Sequence, residues 1–329
     1  MPPNTMTVET GAPRDAGSGF VTATGKKFTV KQTPIELEGV LFLTAGYGSR
    51  DEPLTFMRPK ALLPFGSTSV LRRLAEQVST VCPRRIRINA SRCPESLINE
   101  LLSVWPAEMC ELYFEERPLG ASSTLARHSD VMDTGTWMVI NTDMIIEDFN
   151  ALGFLEYHSK TESDWTALTG DFPPDGNYSP LLIDEDLKFG CGGFQRTHYW
   201  GVSLMESSIP AVAARIQASR GMFSELASAA VEGGSRLTAC MSNGNWLDMG
   251  SIDILRRNIL TGGSFIHPTA CISSDVSLSG VWNIGRGCIL GSGAILRDSV
   301  MLDGSSLEDG MLQESILPWL CSSRDGGSV

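Results

Sequence analysis

Along residues 37–262, short apolar runs alternate with segments whose apolar positions recur at helical spacing. Residues 40–44, 86–89, 111–114, 137–141, 166–169, 200–204 and 235–241 read as strands, and 69–79, 94–105, 150–160, 208–218 and 251–261 as helices. A chain that alternates the two builds a layered α/β fold around a mixed, mostly parallel sheet. Residues 1–36 are polar, rich in Gly, Pro and Thr, and without period, which predicts a flexible tail with a short strand near 27–31.

After residue 262 the pattern changes. Ile266, Ile272, Leu278, Ile284, Leu290, Leu296 and Leu302 stand six residues apart, and Ala270, Val276, Trp282, Cys288, Ala294 and Val300 are apolar at the offset of four. Neither helical nor strand periodicity gives this. A left-handed β-helix does, with a triangular face per repeat and one aliphatic side chain turned inward. Residues 263–320 are assigned to it, and 321–329 to a disordered end. The period slips after Leu302, because Glu308 stands in the next aliphatic place. So short a stack buries little by itself. It is expected to pack on the preceding domain or on a second subunit, as a homodimer, and Trp282 marks either that contact or the stack's own core.

Charge and cysteine use narrow the partners. With 38 acidic against 26 basic residues the formal net charge is −12, which opposes non-specific nucleic-acid binding but not a phosphate held by a local cluster. Eight cysteines are scattered without a CxxC pair, so free thiols in a reducing compartment fit better than zinc or a disulfide framework. The N-terminal sequence has no leader pattern, and no run reaches the ~20 apolar residues of a membrane span. The expectation is a cytoplasmic protein without membrane or nucleic-acid partners.

Candidate chemistry gathers where the first strand ends, in LTAGYGSRDEPLTFMRPKALLPFG, residues 43–66. A glycine turn after a buried strand points backbone N–H groups at negative charge. Gly46 and Gly48 permit close approach, Arg50 offers a fork for phosphate oxygens, and Lys60 is a point charge stiffened by neighbouring prolines. Together they are parts of a polyphosphate site. Asp143 follows the strand 137–141, and Asp248 lies at a second strand-to-helix junction. If the two carboxylates meet, they make a hard-oxygen site for Mg²⁺. Otherwise Asp143 is a turn or helix cap, and Asp248 supports a helix capped by Ser251.

AGYGSRDEPLTFMRPKALLPFG, EERPLGASSTL (115–125), VINTDM (139–144) and WLDMGSIDILRRN (246–258) resemble, in order, four motifs of the sugar-1-phosphate nucleotidylyltransferases, or NDP-sugar pyrophosphorylases. The likeness is nearest to mannose- and heptose-1-phosphate guanylyltransferases, many relatives of which carry a C-terminal left-handed β-helix. It implies a Rossmann-like three-layer nucleotidyltransferase domain over 37–262. It also implies the transfer of a nucleotidyl group from an NTP to a sugar-1-phosphate, with release of pyrophosphate. The resemblance assigns Arg50 and Lys60 to catalysis and Asp143 and Asp248 to Mg²⁺. Leu43, Thr44, Ala45, Gly46, Tyr47, Gly48, Ser49, Glu116 and Gly120 fall to the nucleotide. Asn141, Thr142, Arg196, Gly201 and Trp246 fall to the sugar phosphate.

Departures from the pattern bear on the acceptor. Ser49 replaces threonine, Asp51 and Glu52 follow Arg50 and could pair with Arg58, and Thr142 replaces glycine. No EKP lysine is present; Lys188 or Arg196 would have to serve. An unusual sugar or cyclitol phosphate is compatible with these changes. Guanylyl transfer is favoured over the other bases by EERPLG. A regulatory subunit that binds nucleotide sugars without turnover is the alternative. A hexapeptide-repeat acyltransferase is rejected, because His267 is the only histidine in the repeat. Of the other histidines, His158 reads as structural, and His198, near the expected sugar pocket, is the one worth replacing.

Overall fold

A computed structural model describes residues 36–318 apart from 47, 49–53, 56–57, 174–177, 191, 218–221 and 251, together with 19–21, 27–29 and 322–323. The chain divides into two compact units, 1–35 and 36–329. In the first, Gly19–Val21 and Lys27–Thr29 pair antiparallel, which supplies the expected strand and a partner for it. The remainder of the expected tail lies outside the described residues.

The second unit is built on a sheet of eight strands. In chain order its elements are β1 (Leu37–Leu43), α1 (Val70–Ser79), β2 (Arg85–Ala90), α2 (Pro94–Leu102), β3 (Cys110–Phe114), α3 (Ala121–His128), β4 (Thr136–Asn141), β5 (Met144–Glu147), α4 (Ala151–Thr161), β6 (Trp165–Asp171), β7 (Leu181–Ile183), β8 (Gln195–Glu206), α5 (Ser208–Arg215), α6 (Ala227–Glu232), β9 (Leu237–Met241), β10 (Asn245–Asp248) and α7 (Ile252–Thr261). The sheet order is β9-β6-β8-β4-β1-β2-β3, with β7 added on β8. β8 runs antiparallel to β6 and β4, and the other neighbours along this order are parallel. The expected mixed, mostly parallel sheet is therefore present. β5 and β10 form a separate antiparallel pair.

Alternation along the strands fills both faces. Val40, Phe42, Ile86, Ile88, Met138 and Ile140 pack under α1, α2, α4 and α7, while Leu41, Trp137, Val139 and Ala167 pack under α3, α5 and α6. Helix α1 shows how local sequence serves this. Ser69 accepts a hydrogen bond from the Arg72 N–H at 3.1 Å as its N-cap, and Val70, Leu71, Leu74, Ala75 and Val78 make one buried stripe.

His158 is structural. Buried on α4, it bonds Thr166 of β6 at 2.7 Å and Glu206 of β8 at 3.1 Å. The His158 bond holds the Glu206 carboxyl below its ordinary value, against burial and with a further contribution from the Thr136 hydroxyl. The native state thus favours the carboxylate. Its stabilisation is complete above the unfolded value of 4.5 and is lost as pH falls through the lower folded value. Glu206→Gln should lower the melting temperature at pH 7, with the gap to wild type closing below pH ~4 in a calorimetric pH series.

The C-terminal part stacks short parallel strands. Phe265 pairs with Asn283, Cys271 with Ile289 and Ser277 with Ile295, each eighteen residues on. This fits a β-helix of three six-residue faces per coil. Ile284, Cys288, Leu290, Ala294 and Leu296 fill the interior, and the partly buried Trp282 packs against that cluster. Past Leu302 the spacing shortens to five. Leu307, Leu312 and Leu317 are the buried residues, and Glu308 is exposed. The slip seen in the sequence is a tighter repeat that turns Glu308 outward. Ser322–Ser323 still pairs with Ser306–Leu307, so strand pairing continues into the stretch expected to be disordered. The stack leans on the α/β part: Val300, Leu302 and Ile316 share a core with Leu255 and Ile259, and Asn283 Nδ2 donates to the Gly66 carbonyl at 2.8 Å. Arg58 pairs with Asp303 of the stack at 2.9 Å; the Asp51 and Glu52 considered for it lie outside the described residues. Among the described cysteines, Cys82, Cys110, Cys240, Cys271 and Cys288 are free thiols.

Candidate active site

From β1 the chain runs outward to β2 and β3 on one side and then returns to β4 on the other. The carboxyl ends of β1 and β4 therefore flank the point where the winding reverses, the crevice where α/β sheets collect ligands. A cleft of about 350 Å³ opens there. Its wall includes Leu43, Thr44, Ala45, Gly46, Gly48, Lys60, Gly120, Asn141, Thr142 and Asp143, residues drawn from all of the first three motifs.

The loop after β1 is fixed from the adjacent strand. Thr44 N–H donates to Asn89 Oδ1 at 2.7 Å, and the Thr44 hydroxyl donates to the Asn89 carbonyl. Asn89 Nδ2 and the Thr124 hydroxyl each donate to Glu115 Oε1 at 2.9 Å, while Leu119 N–H reaches Glu115 Oε2 at 3.0 Å. This buried network ties the second motif to the first, and every donor in it has a partner. Sequence reasoning chose Glu116, which is exposed and does not line the cleft; Glu115 does.

Gly48 has φ +63°, and a Cβ there would meet Lys60 Cε and Thr55 Cγ2 at 3.0 Å, so the turn needs glycine to let the lysine stem pass. Lys60 itself opens a short 3₁₀ turn and is 9% exposed, with its ammonium donating to the Gly250 carbonyl at 3.2 Å. Tyr47, Ser49 and Arg50 lie outside the described residues.

Pairing of β5 with β10 brings the fourth motif to the same place. Asp248 faces Met144 in register, and Met249 N–H donates to the Asp143 carbonyl at 2.9 Å. Asp143, in the bend just before β5, and Asp248, the last residue of β10, are about a hundred residues apart in sequence and are thus brought together by backbone pairing. The Asp248 carboxylate accepts from Gly250 N–H at 2.7 Å and from the Tyr178 hydroxyl at 2.8 Å. Lys60 and Asp248 therefore hold Gly250 from its carbonyl and its N–H. The alternative role of Asp248 in local structure is also present, through the Gly250 bond; Ser251 lies outside the described residues. Among the described residues no group of three or more His, Cys, Asp or Glu could hold a metal. Two carboxylates still suit Mg²⁺, which usually completes its shell with phosphate and water.

Thr142, which stands where the resembled motif has glycine, is buried with its hydroxyl on the Leu43 carbonyl at 2.9 Å, so its side chain is turned to β1. Gly201 lies against Asn141 and Met144. Trp246 packs edge-on to His198, with ring centroids 4.4 Å apart. Arg196 is exposed and sits over the Phe172 ring at 4.2 Å, outside the cleft. Lys188 is half-exposed and pairs with Asp186.

Comparison with known proteins agrees with this geometry. The nucleotidyl transferase family model matches residues 39–177. Mannose-1-phosphate guanylyltransferase catalytic subunit beta of Drosophila pseudoobscura pseudoobscura is 28% identical over 155 residues, 46% of this chain and 41% of that protein. The chain thus spans about two fifths of that relative's length. Mannose-1-phosphate guanylyltransferase of Mycobacterium tuberculosis is 23% identical over 313 residues, 83% of this chain and 82% of that one. Probable mannose-1-phosphate guanylyltransferase 1 of Oryza sativa subsp. japonica is 20% identical over 309 residues, 85% of each. The crystal structure of HddC from Yersinia pseudotuberculosis shares the fold, with a TM-score of 0.54 at 19% identity, over 68% of this chain and 98% of that one. No helix among the described residues is long and apolar enough to cross a membrane. The glycine loop, the buried lysine and the two aspartates thus gather at one switch point in a chain whose residues 39–177 match the nucleotidyl transferase family model and which is similar, at low identity, to mannose-1-phosphate guanylyltransferases.

Proposed function

We propose that the protein joins an NTP to a sugar-1-phosphate or a related cyclitol phosphate, with guanylyl transfer favoured. An acceptor phosphate oxygen attacks the α-phosphorus in line. The new O–P bond forms as the bond to the β-phosphate bridging oxygen breaks, and pyrophosphate leaves. The observation that carries this reading is the meeting of Gly46, Gly48, Lys60 and Asp143 on one cleft, with Asp248 beside it. Such a reaction asks for positioning and charge neutralisation rather than covalent help from the protein.

In this reading the loop amides cradle the phosphates, and the Lys60 ammonium offsets charge at the α-phosphate. Arg50 is assigned to the departing pyrophosphate. Asp143 and Asp248 would hold Mg²⁺, which when bound supplies Lewis-acid neutralisation of phosphate oxygens. Asn141, Gly201 and Trp246 face the acceptor. The printed activities of the relatives favour guanine and mannose-1-phosphate as the first pair to try. The test is a screen of GTP, ATP, UTP, CTP and dTTP against sugar and cyclitol 1-phosphates with Mg²⁺, reading pyrophosphate. Release with at least one pair is expected. Tight binding of nucleotide sugars without release from any pair would replace this reading with the non-catalytic regulatory one.

A further inference from the structure

Beside the cleft, three buried nitrogen atoms make no hydrogen bond: His198 Nδ1, His198 Nε2 and Trp246 Nε1. His198 is on β8 and 5% exposed; Trp246 is on β10, two residues before Asp248 and so on the same face of that strand. Buried polar atoms are nearly always paired, and a cluster of exceptions asks for a reason. Tyr178 is what covers them. Its ring lies 4.6 Å from the His198 ring and 5.5 Å from Trp246, while its hydroxyl donates to Asp248 Oδ2 at 2.8 Å. Phe172 completes the wall, with its centroid 6.4 Å from His198.

This arrangement has the chemistry of a polyol site closed by a side chain. An indole N–H donates, and a neutral imidazole both donates and accepts. Burial favours the neutral form here against the opposing pull of the Asp248 carboxylate. Aromatic faces suit the C–H side of a sugar or cyclitol ring. Tyr178 meanwhile presents a ring and a hydroxyl, the two features such a ligand would bring.

We propose that His198 and Trp246 recognise hydroxyl groups of the acceptor, and that Tyr178 occupies their contact place until the acceptor displaces it. The proposal rests on the nucleotidyl-transfer reading and adds to it His198 and Tyr178, beside the Trp246 already placed at the acceptor. His198 belongs to none of the four motifs. The Tyr178–Asp248 bond further links the stopper to a carboxylate assigned to the metal.

The test uses the full chain and reads binding separately from turnover. Sugar and cyclitol 1-phosphates, mannose 1-phosphate first, are titrated calorimetrically with Mg²⁺ and each α,β-methylene NTP in turn. His198→Phe and Trp246→Phe keep ring volume and remove the nitrogen atoms. Each should weaken acceptor binding about tenfold or more and leave the NTP analogue's affinity, which also reports folding, within about twofold. His198→Gln, which restores a donor and an acceptor, should recover most of the loss. Tyr178→Phe, freed from Asp248, should bind the acceptor a few-fold more tightly. In turnover the first two variants should raise KM with kcat little changed. If both Phe variants bind acceptor as wild type does while pyrophosphate release persists, the inference is overturned and the transfer reading stands. A Tyr178→Phe variant with equal or weaker affinity overturns the stopper. If wild type binds no acceptor and releases no pyrophosphate from any pair, both readings fall together.

Discussion

Lys60→Met is expected to lower pyrophosphate release at least a hundredfold, and to do so without unfolding the protein. Three observations set this expectation. The lysine is nearly buried, its stem packs against Gly48 and Thr55, and its ammonium is held by the Gly250 carbonyl on the rim of the phosphate cleft. Methionine keeps the length and apolar packing of the stem and removes the charged nitrogen together with its bond to the Gly250 carbonyl. Loss of one preorganised donor at a site of developing charge costs about 10²–10³ in rate, or ~3–4 kcal/mol. Lys60→Arg should not rescue, because a guanidinium is wider than the slot beside Gly48 and presents a planar fork rather than a point charge. The measurement is single-turnover pyrophosphate release with saturating substrates, beside a urea unfolding curve. A rate within about threefold of wild type would remove Lys60 from the chemistry.

How far the sequence announced this site depends on which physical signal each residue carries. Strands buried on both faces, such as β1 and β4, are legible because their apolar runs are continuous. The stacked C-terminal strands are legible because a six-residue spacing has few other physical causes, and its change to five after Leu302 was visible only as a slip. Lys60 and Asp143 were legible through their motifs. The network Asn89–Glu115–Thr124 was not, since it joins three elements by buried hydrogen bonds and leaves no local pattern. Glu115 and Glu116 are adjacent and chemically identical. Only the turn after β3 decides which one enters the interior, and a one-residue choice in a loop has no periodicity to settle it. The resemblance assigns Arg196 to the sugar phosphate as a stand-in for the missing lysine, yet its side chain is exposed over the Phe172 ring and does not line the cleft. Helix α3 was missed because its buried residues include Ser122, Thr124 and His128, a polar stripe that does not look like a core face.

The fourth motif yields the second large effect. Asp248→Asn should reduce pyrophosphate release a hundredfold or more and raise the Mg²⁺ concentration needed for half-maximal rate. The carboxylate has two duties in the structure, and this substitution separates them. The amide oxygen of Asn can still accept the Gly250 N–H, and Tyr178 can turn its hydroxyl to accept from the new NH₂, so the turn into α7 survives. What disappears is the negative charge that the proposed reading assigns, with Asp143, to Mg²⁺, and charge stabilisation at such a site is worth several kcal/mol. Asp248→Ala removes both duties and should add a loss of stability of about 1–2 kcal/mol, from a Gly250 N–H left without its partner. The decisive comparison is therefore between the two variants. If Asp248→Asn keeps the wild-type rate and Mg²⁺ dependence while Asp248→Ala is destabilised, the residue only holds the turn. A pair of carboxylates facing phosphate would then no longer explain why β5 and β10 are brought together beside Lys60.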